Sequence, residues 1–265
     1  MSAAAAGGLR VNLLGLPSVE GEHSDYRMRS RKSWALLAYL LLCERPSTRR
    51  ELASLLFERA DDPLGALRWC LSEVRRALGA DAVIAGDPVR LALGNSVVVD
   101  ASVVLAGPGE EAFRMRGLGS ELLEGFTVQG AFDFDSWLLG ARRRVAVATI
   151  EVLRKAALAA VRQGAYETAI AHAVRLSALS RLDQDNHALL VALYRLVGDD
   201  VAAQRQYATC ARILHAELGA APGPAMRDAL RRPLLQLPCA TYDSDPLLPM
   251  APAGSDTVPD ATLCG

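Results

Sequence analysis

The chain lacks the features that announce a covalent framework, a cofactor or a membrane. Its five cysteines, Cys43, Cys70, Cys210, Cys239 and Cys264, are odd in number, scattered and never paired as C-x-x-C, which argues against a disulfide scaffold or a zinc site and fits a reducing compartment. The longest apolar run, Trp34 to Cys43, is about half of the roughly 20 residues a membrane-spanning helix requires. Met1 to Gly8 has neither a basic segment nor an apolar stretch of signal-peptide length, so the expected location is the cytoplasm. No phosphate-binding glycine loop, H-E-x-x-H helix or G-x-S-x-G elbow occurs, and Gly117-Leu118-Gly119 lacks the third glycine of a dinucleotide loop. His172, His187 and His215 have no ligand spacing, and Asp133, Asp135 and Glu121 read as solvated acids. The expectation is therefore no enzyme, no catalytic residue, no metal and no cofactor. Net charge is also small, −1 over 265 residues, so any nucleic-acid site must be a local basic surface.

What is present is a sequence of short, well-punctuated elements. Leu9-Arg10-Val11-Asn12-Leu13 alternates apolar and polar with the strand period and runs into Gly and Pro, which predicts a small N-terminal sheet. An apolar helix follows at Ser33 to Leu42. After Pro46-Ser47, Thr48 and Glu51 have capping-box spacing ahead of Leu52, Leu55 and Leu56. A third helix is bounded by Asp62 as N-cap, Pro63 in the first helical position and Gly79 at the end. Its apolar stripe is expected at Leu64, Leu67, Leu71, Val74 and Leu78. Two β-prone runs around Gly86-Asp87-Pro88 then predict a hairpin over Val83 to Leu91.

Sheet, three helices and hairpin is the order of a winged helix. A loop or linker is expected at Gly107 to Glu111, and from about Arg142 the chain is dominated by helix formers. There Gly164 and Gly198 stand 34 residues apart, as do Ala169 and Ala203, the period of a tetratricopeptide-like helix pair. The expected fold class is mainly α with small β elements. The expected divisions are a winged-helix domain at 1–105, a tetratricopeptide-like domain at 106–235 and a proline-rich disordered tail at 236–265. The first of these has a sheet, three helices and a hairpin, so it is expected to fold and bind DNA alone.

The stripe of the third helix leaves Trp69, Ser72 and Arg76 on the opposite face, with Arg68 and Arg75 at its flanks. Arginine can pair with guanine or phosphate, serine with either, and a flat aromatic can pack on sugar or a thymine methyl; Trp69 could equally pack on a neighbouring domain. Residues 27 to 50 hold Arg27, Arg29, Arg31, Lys32, Arg45, Arg49 and Arg50 against the single acid Glu44, a cluster suited to phosphates. Arg45 is expected only to solvate a helix end. Arg90, beyond the hairpin turn, could reach a minor groove or phosphate, or be a plain strand-surface arginine. The candidate DNA-binding residues are thus Arg31, Lys32, Arg49, Arg50, Arg68, Trp69, Ser72, Arg75, Arg76 and Arg90.

Ser30-Arg31-Lys32 leading into Ala35 to Leu40, Arg50-Glu51-Leu52-Ala53 to Phe57, and Ala66-Leu67-Arg68 to Leu78-Gly79 together resemble the DNA-binding half of the SARP/AfsR-like activators. Trp137 with Arg142 to Arg144, Gly164 to Ala169, Asp185 to Leu190, Gln206-Tyr207 and Glu217 to Pro222 resemble their bacterial transcriptional activator domain. The resemblance covers residues 9 to 232. It implies a response-regulator type of winged helix, with recognition helix Pro63 to Leu78 and wing within Val83 to Leu91, beside a helical-repeat domain. It also implies recruitment of RNA polymerase at promoters. Ser180-Arg181 departs from the Asp-Pro of many members. The expected function is sequence-specific activation of transcription, with double-stranded DNA, RNA polymerase holoenzyme and, on DNA, a second copy of the chain as partners. The alternative is an adaptor that binds a protein through the helical repeats without binding DNA.

Overall fold

The computed structural model describes residues 8–21 and 26–231; the tail expected at 236–265 lies outside them. Strand β1 (Arg10–Asn12) pairs antiparallel with β2 (Ser18–Glu20), Val11 opposite Val19, and parallel with β5 (Val98–Val99). The alternation holds: Leu9, Val11 and Leu13 are buried while Arg10 is exposed. Beyond β1 the chain is fastened by a carboxylate. Asp100, buried at the start of α4 (Asp100–Leu105), accepts from the backbone N–H of Leu13 at 2.8 Å and of Leu14 at 2.9 Å. Burial pushes its carboxyl above the ordinary range, against the opposing pull of those donors.

Helix α1 (Arg31–Leu42) is capped by Ser30 and buries a nearly continuous face from Ser33 to Ala38. Helix α2 (Arg49–Phe57) begins with the predicted capping box: the Glu51 N–H donates to the Thr48 hydroxyl at 3.2 Å, and the Thr48 N–H donates to the Glu51 carboxylate at 2.6 Å. Helix α3 spans Pro63–Leu78, with Asp62 accepting from Gly65 N–H at 2.8 Å. Gly79 ends it at φ 61°, a left-handed value that glycine tolerates best. A single 3₁₀ turn leads into the hairpin β3 (Ala82–Ala85) and β4 (Arg90–Leu93), with Ile84 opposite Leu91.

The second half is helical: α5 (Glu110–Phe113), α6 (Phe132–Arg162), α7 (Tyr166–Leu179), α8 (Gln184–Leu196), α9 (Asp200–Leu218) and α10 (Pro224–Arg231). The period read from the sequence has a structural basis. Gly164 turns α6 into α7 at φ 72°, Gly198 turns α8 into α9 at φ 80°, and Ala169 and Ala203 are both fully buried, where a larger side chain would separate the paired helices. The chain is thus mainly helical, a winged helix followed by a short helical repeat. Among the described residues no helix is long and apolar enough to cross a membrane.

The loop expected at 107–111 is present at Gly107–Gly109, with α5 starting at Glu110, and the helical region expected from about Arg142 already begins with α6 at Phe132. The apolar core within residues 9–104 is continuous with that of the helical half. One apolar cluster runs from Leu9 and Leu37 through Leu71 to Leu122, Phe134, Leu153 and Leu193. The seam is also hydrogen-bonded: Leu123 N–H donates to Leu13 O at 2.8 Å, Gly15 N–H to Glu121 O at 2.8 Å and Glu124 N–H to Gly15 O at 3.0 Å. The rings of Tyr39 on α1 and Trp137 on α6 lie 4.8 Å apart across it.

Candidate nucleic-acid interface

Helix α3 has two faces of opposite character. Leu67, Cys70, Leu71, Val74, Ala77 and Leu78 are buried at helical spacing and anchor it to α1 and α2. Arg68, Trp69, Ser72, Arg75 and Arg76 are exposed, Trp69 to 53%. Leu64 was expected in the apolar stripe but is 48% exposed. It lies in the first turn, past the edge of the core, so the stripe starts at Leu67 and Leu64 joins the outward surface.

Glu73 is a buried carboxylate among these apolar residues, 2% exposed. It accepts from the Ser33 hydroxyl, from Tyr26 OH at 3.1 Å and from the Arg29 N–H at 3.1 Å. Burial pushes its pKa up, but these donors outweigh it and the net value lies below the usual carboxylate range. The carboxylate thereby ties the segment entering α1 to the inner side of α3. Arg76, three residues on, stacks its guanidinium 4.6 Å over the Tyr26 ring, which orients a side chain that would otherwise be free. Sequence reasoning missed Glu73 and Tyr26. The signal for Glu73 was available, since position 73 falls within the arc bounded by Cys70, Val74 and Ala77.

The wing is bound to both helices that flank it. Arg75 donates to Ile84 O of β3 at 2.9 Å, so part of its donor set holds the hairpin. At the turn, Asp87 accepts from Arg49 N–H at 2.9 Å and Val89 N–H donates to Ser47 O at 2.9 Å. The N-terminus of α2, with Arg49 and the exposed Arg50, is therefore fixed to the hairpin on which Arg90 is exposed. Arg68 reaches Asp62 at 3.7 Å, an exposed pair that restrains it weakly.

Two of the predicted residues stand elsewhere. Arg31 donates to Thr127 O at 3.3 Å and lies over the Phe126 ring, while the Lys32 ammonium lies 4.7 Å from the centre of the Phe57 ring. Both face the seam between the two halves of the chain, where they line a shallow cavity with Arg59 and Gly130. Their stems had no reason in the sequence to turn this way, because the aromatic at 126 is distant along the chain. Among the described residues no group of three or more His, Cys, Asp or Glu is placed to hold a metal ion.

Comparison with known proteins bears on this architecture. Residues 107–234 match the family described as bacterial transcriptional activator domain. The solved structure of Mycobacterium tuberculosis EmbR in complex with a low-affinity phosphopeptide is similar in fold, with a TM-score of 0.55 and 20% identity. The similarity covers 88% of this chain and 66% of that one, so the chain spans just under two thirds of the length of the EmbR chain it matches. No curated protein matches the chain. Residues 107–234 thus match the bacterial transcriptional activator domain, and they follow a winged helix in a chain whose fold is similar to that of EmbR.

Proposed function

We propose that the chain is a sequence-specific activator that binds promoter DNA through α3 and the wing and recruits RNA polymerase. Functionally it divides near residue 105, the first part contacting DNA and the second the transcription machinery. The observation that carries this reading is the outward face of α3, where Arg68, Trp69, Ser72 and Arg76 share one exposed surface on a helix whose opposite face is locked into the core. In the major groove, Arg76 and Ser72 would read base edges and Trp69 would pack on a thymine methyl or sugar. Arg49 and Arg50 at the N-terminus of α2, and Arg90 on the wing, would contact phosphate on either side. Arg31 and Lys32, turned to the seam, are assigned only to phosphates that approach that side.

The test is a titration of the full chain against its own upstream region and a random duplex at several salt concentrations. Affinity should fall steeply with salt. Arg76→Ala should reduce binding to the operator by about 1–3 kcal/mol and leave random-duplex binding less affected. Equal affinity for both duplexes, unchanged by Arg76→Ala, would overturn the reading in favour of a protein adaptor.

A further inference from the structure

We propose, resting on the reading of α3 as the recognition helix, that Tyr26 is a specificity-determining residue outside that helix: it positions Arg76 for a base contact in the major groove. Three arginines on the outward side of α3 are restrained in different ways. Arg75 donates to Ile84 O at 2.9 Å, and Arg68 lies 3.7 Å from the Asp62 carboxylate; each contact engages N–H donors. Arg76 makes no ion pair among the described residues. Its guanidinium carbon lies over the Tyr26 ring instead, 4.6 Å from the ring centre. Attraction to a ring face acts through the charge and leaves the N–H donors uncommitted. A guanidinium that is oriented and still has its donors to give can meet guanine O6 and N7 together. Of the three arginines, Arg76 alone combines the two conditions.

The ring can serve as a platform because its far end is fixed. Tyr26 OH donates to Glu73 at 3.1 Å, and that carboxylate, buried in the core, is held in turn by the Ser33 hydroxyl and by the Arg29 N–H at 3.1 Å. Glu73 and Arg76 stand three residues apart on α3, so they are neighbours on its surface, the first turned inward and the second exposed. Tyr26 spans them, its hydroxyl on the buried acceptor and its ring beneath the exposed cation. The place of Arg76 is thereby set by the packing of α1 against α3 and not by α3 alone. A long side chain held in this way has less rotamer freedom to lose when it meets a base. Phosphate contacts carry no sequence information, so the gain falls on discrimination between sequences and not on affinity for duplex DNA in general.

Two measurements on the full chain test the two steps separately. By NMR without DNA, the Arg76 Nε–H proton, assigned by its loss in Arg76→Ala, should be shifted upfield by the ring in the native chain and in Tyr26→Phe. It should return to the ordinary arginine position in Tyr26→Leu. In titrations against the chain's own upstream region and a random duplex, Tyr26→Leu should weaken operator binding by about threefold to fivefold and leave random-duplex binding unchanged. Tyr26→Phe, which keeps the ring, should retain the native preference. In an Arg76→Ala background, Tyr26→Leu should have no further effect, since the side chain it positions is gone. The proposal is overturned by an unshifted Arg76 proton in the native chain, which needs no variant to fold, by equal losses on both duplexes, or by an undiminished effect of Tyr26→Leu when residue 76 is alanine. Weaker operator binding in Arg76→Ala with none in Tyr26→Leu would overturn it and leave the reading of α3 standing, whereas no effect of Arg76→Ala on either duplex would overturn both.

Discussion

Glu73 occupies a position that the packing of α3 would give to a leucine, and its carboxylate is satisfied by three donors from the segment 26–33. Glu73→Ala should cost on the order of 3 kcal/mol, since those donors lose their acceptor in a buried setting, as measured by urea unfolding. The pH dependence has a definite sign. A carboxylate whose folded pKa is depressed contributes stability that is fully present above its unfolded value of about 4.3 and is lost as the pH falls through the folded value. The stability advantage of the native chain over Glu73→Gln should therefore shrink as the pH falls below about 4.3. Asp100, with its pKa raised, acts in the opposite direction: its contribution is full below the ordinary carboxylate value and is lost as the pH rises through the folded one. Trp69→Ala separates surface from core: 53% exposed, it should shift stability by less than about 1 kcal/mol while weakening operator binding. Residues such as Trp69 and Arg76 were legible from the helical wheel alone. Arg31 and Lys32 were not, because their orientation depends on Phe126 and Phe57, contacts that no local pattern encodes.

The bounds of α3, the capping box of α2 and the 34-residue spacing of the two glycine turns follow from local chemistry, and these elements stand where the sequence puts them. Local reasoning failed where burial is set by distant partners, as at Leu64, or where the helix start lacks a polar cap, as at Ala131 before α6. The two faces of α3 make separable demands. Leu71→Ala should cost about 2–5 kcal/mol by opening a cavity, so that any lost DNA binding tracks unfolding. Arg75→Ala should instead loosen the wing: amide exchange in β3 and β4 should accelerate with the melting temperature little changed, because the lost bond to Ile84 O is local. In α6, Gly140 has open space around it, the nearest heavy atom to an added Cβ being Arg144 Nη1 at 4.0 Å. Gly140→Ala should accordingly stabilise the chain by about 0.5–1 kcal/mol, readable as a higher melting temperature.

At the scale of the molecule, the apolar cluster continuous across the seam should couple the two halves, while a smaller cluster lies among α8, α9 and α10. The described chain should unfold in a single transition by both circular dichroism and tryptophan fluorescence. A fragment ending at residue 105 strips the cover from Leu13 and Leu14 and should melt well below the full chain or fail to melt cooperatively; a fragment as stable as the full chain would show that the seam contributes nothing. The seam also constrains how such a protein can be rearranged. The 31-residue helix α6 begins among the winged helix's contacts, at Phe134 and Trp137, and ends against α7, so it belongs to both halves at once. Exchanging the DNA-binding part for that of a relative by a cut at residue 105 would bring together surfaces with separate histories at Leu13–Gly15, at residues 117–126 and along the first turns of α6. Recombinants that keep these three stretches from one parent should be recovered far more often than those that split them, making the seam, rather than either half, the unit of inheritance.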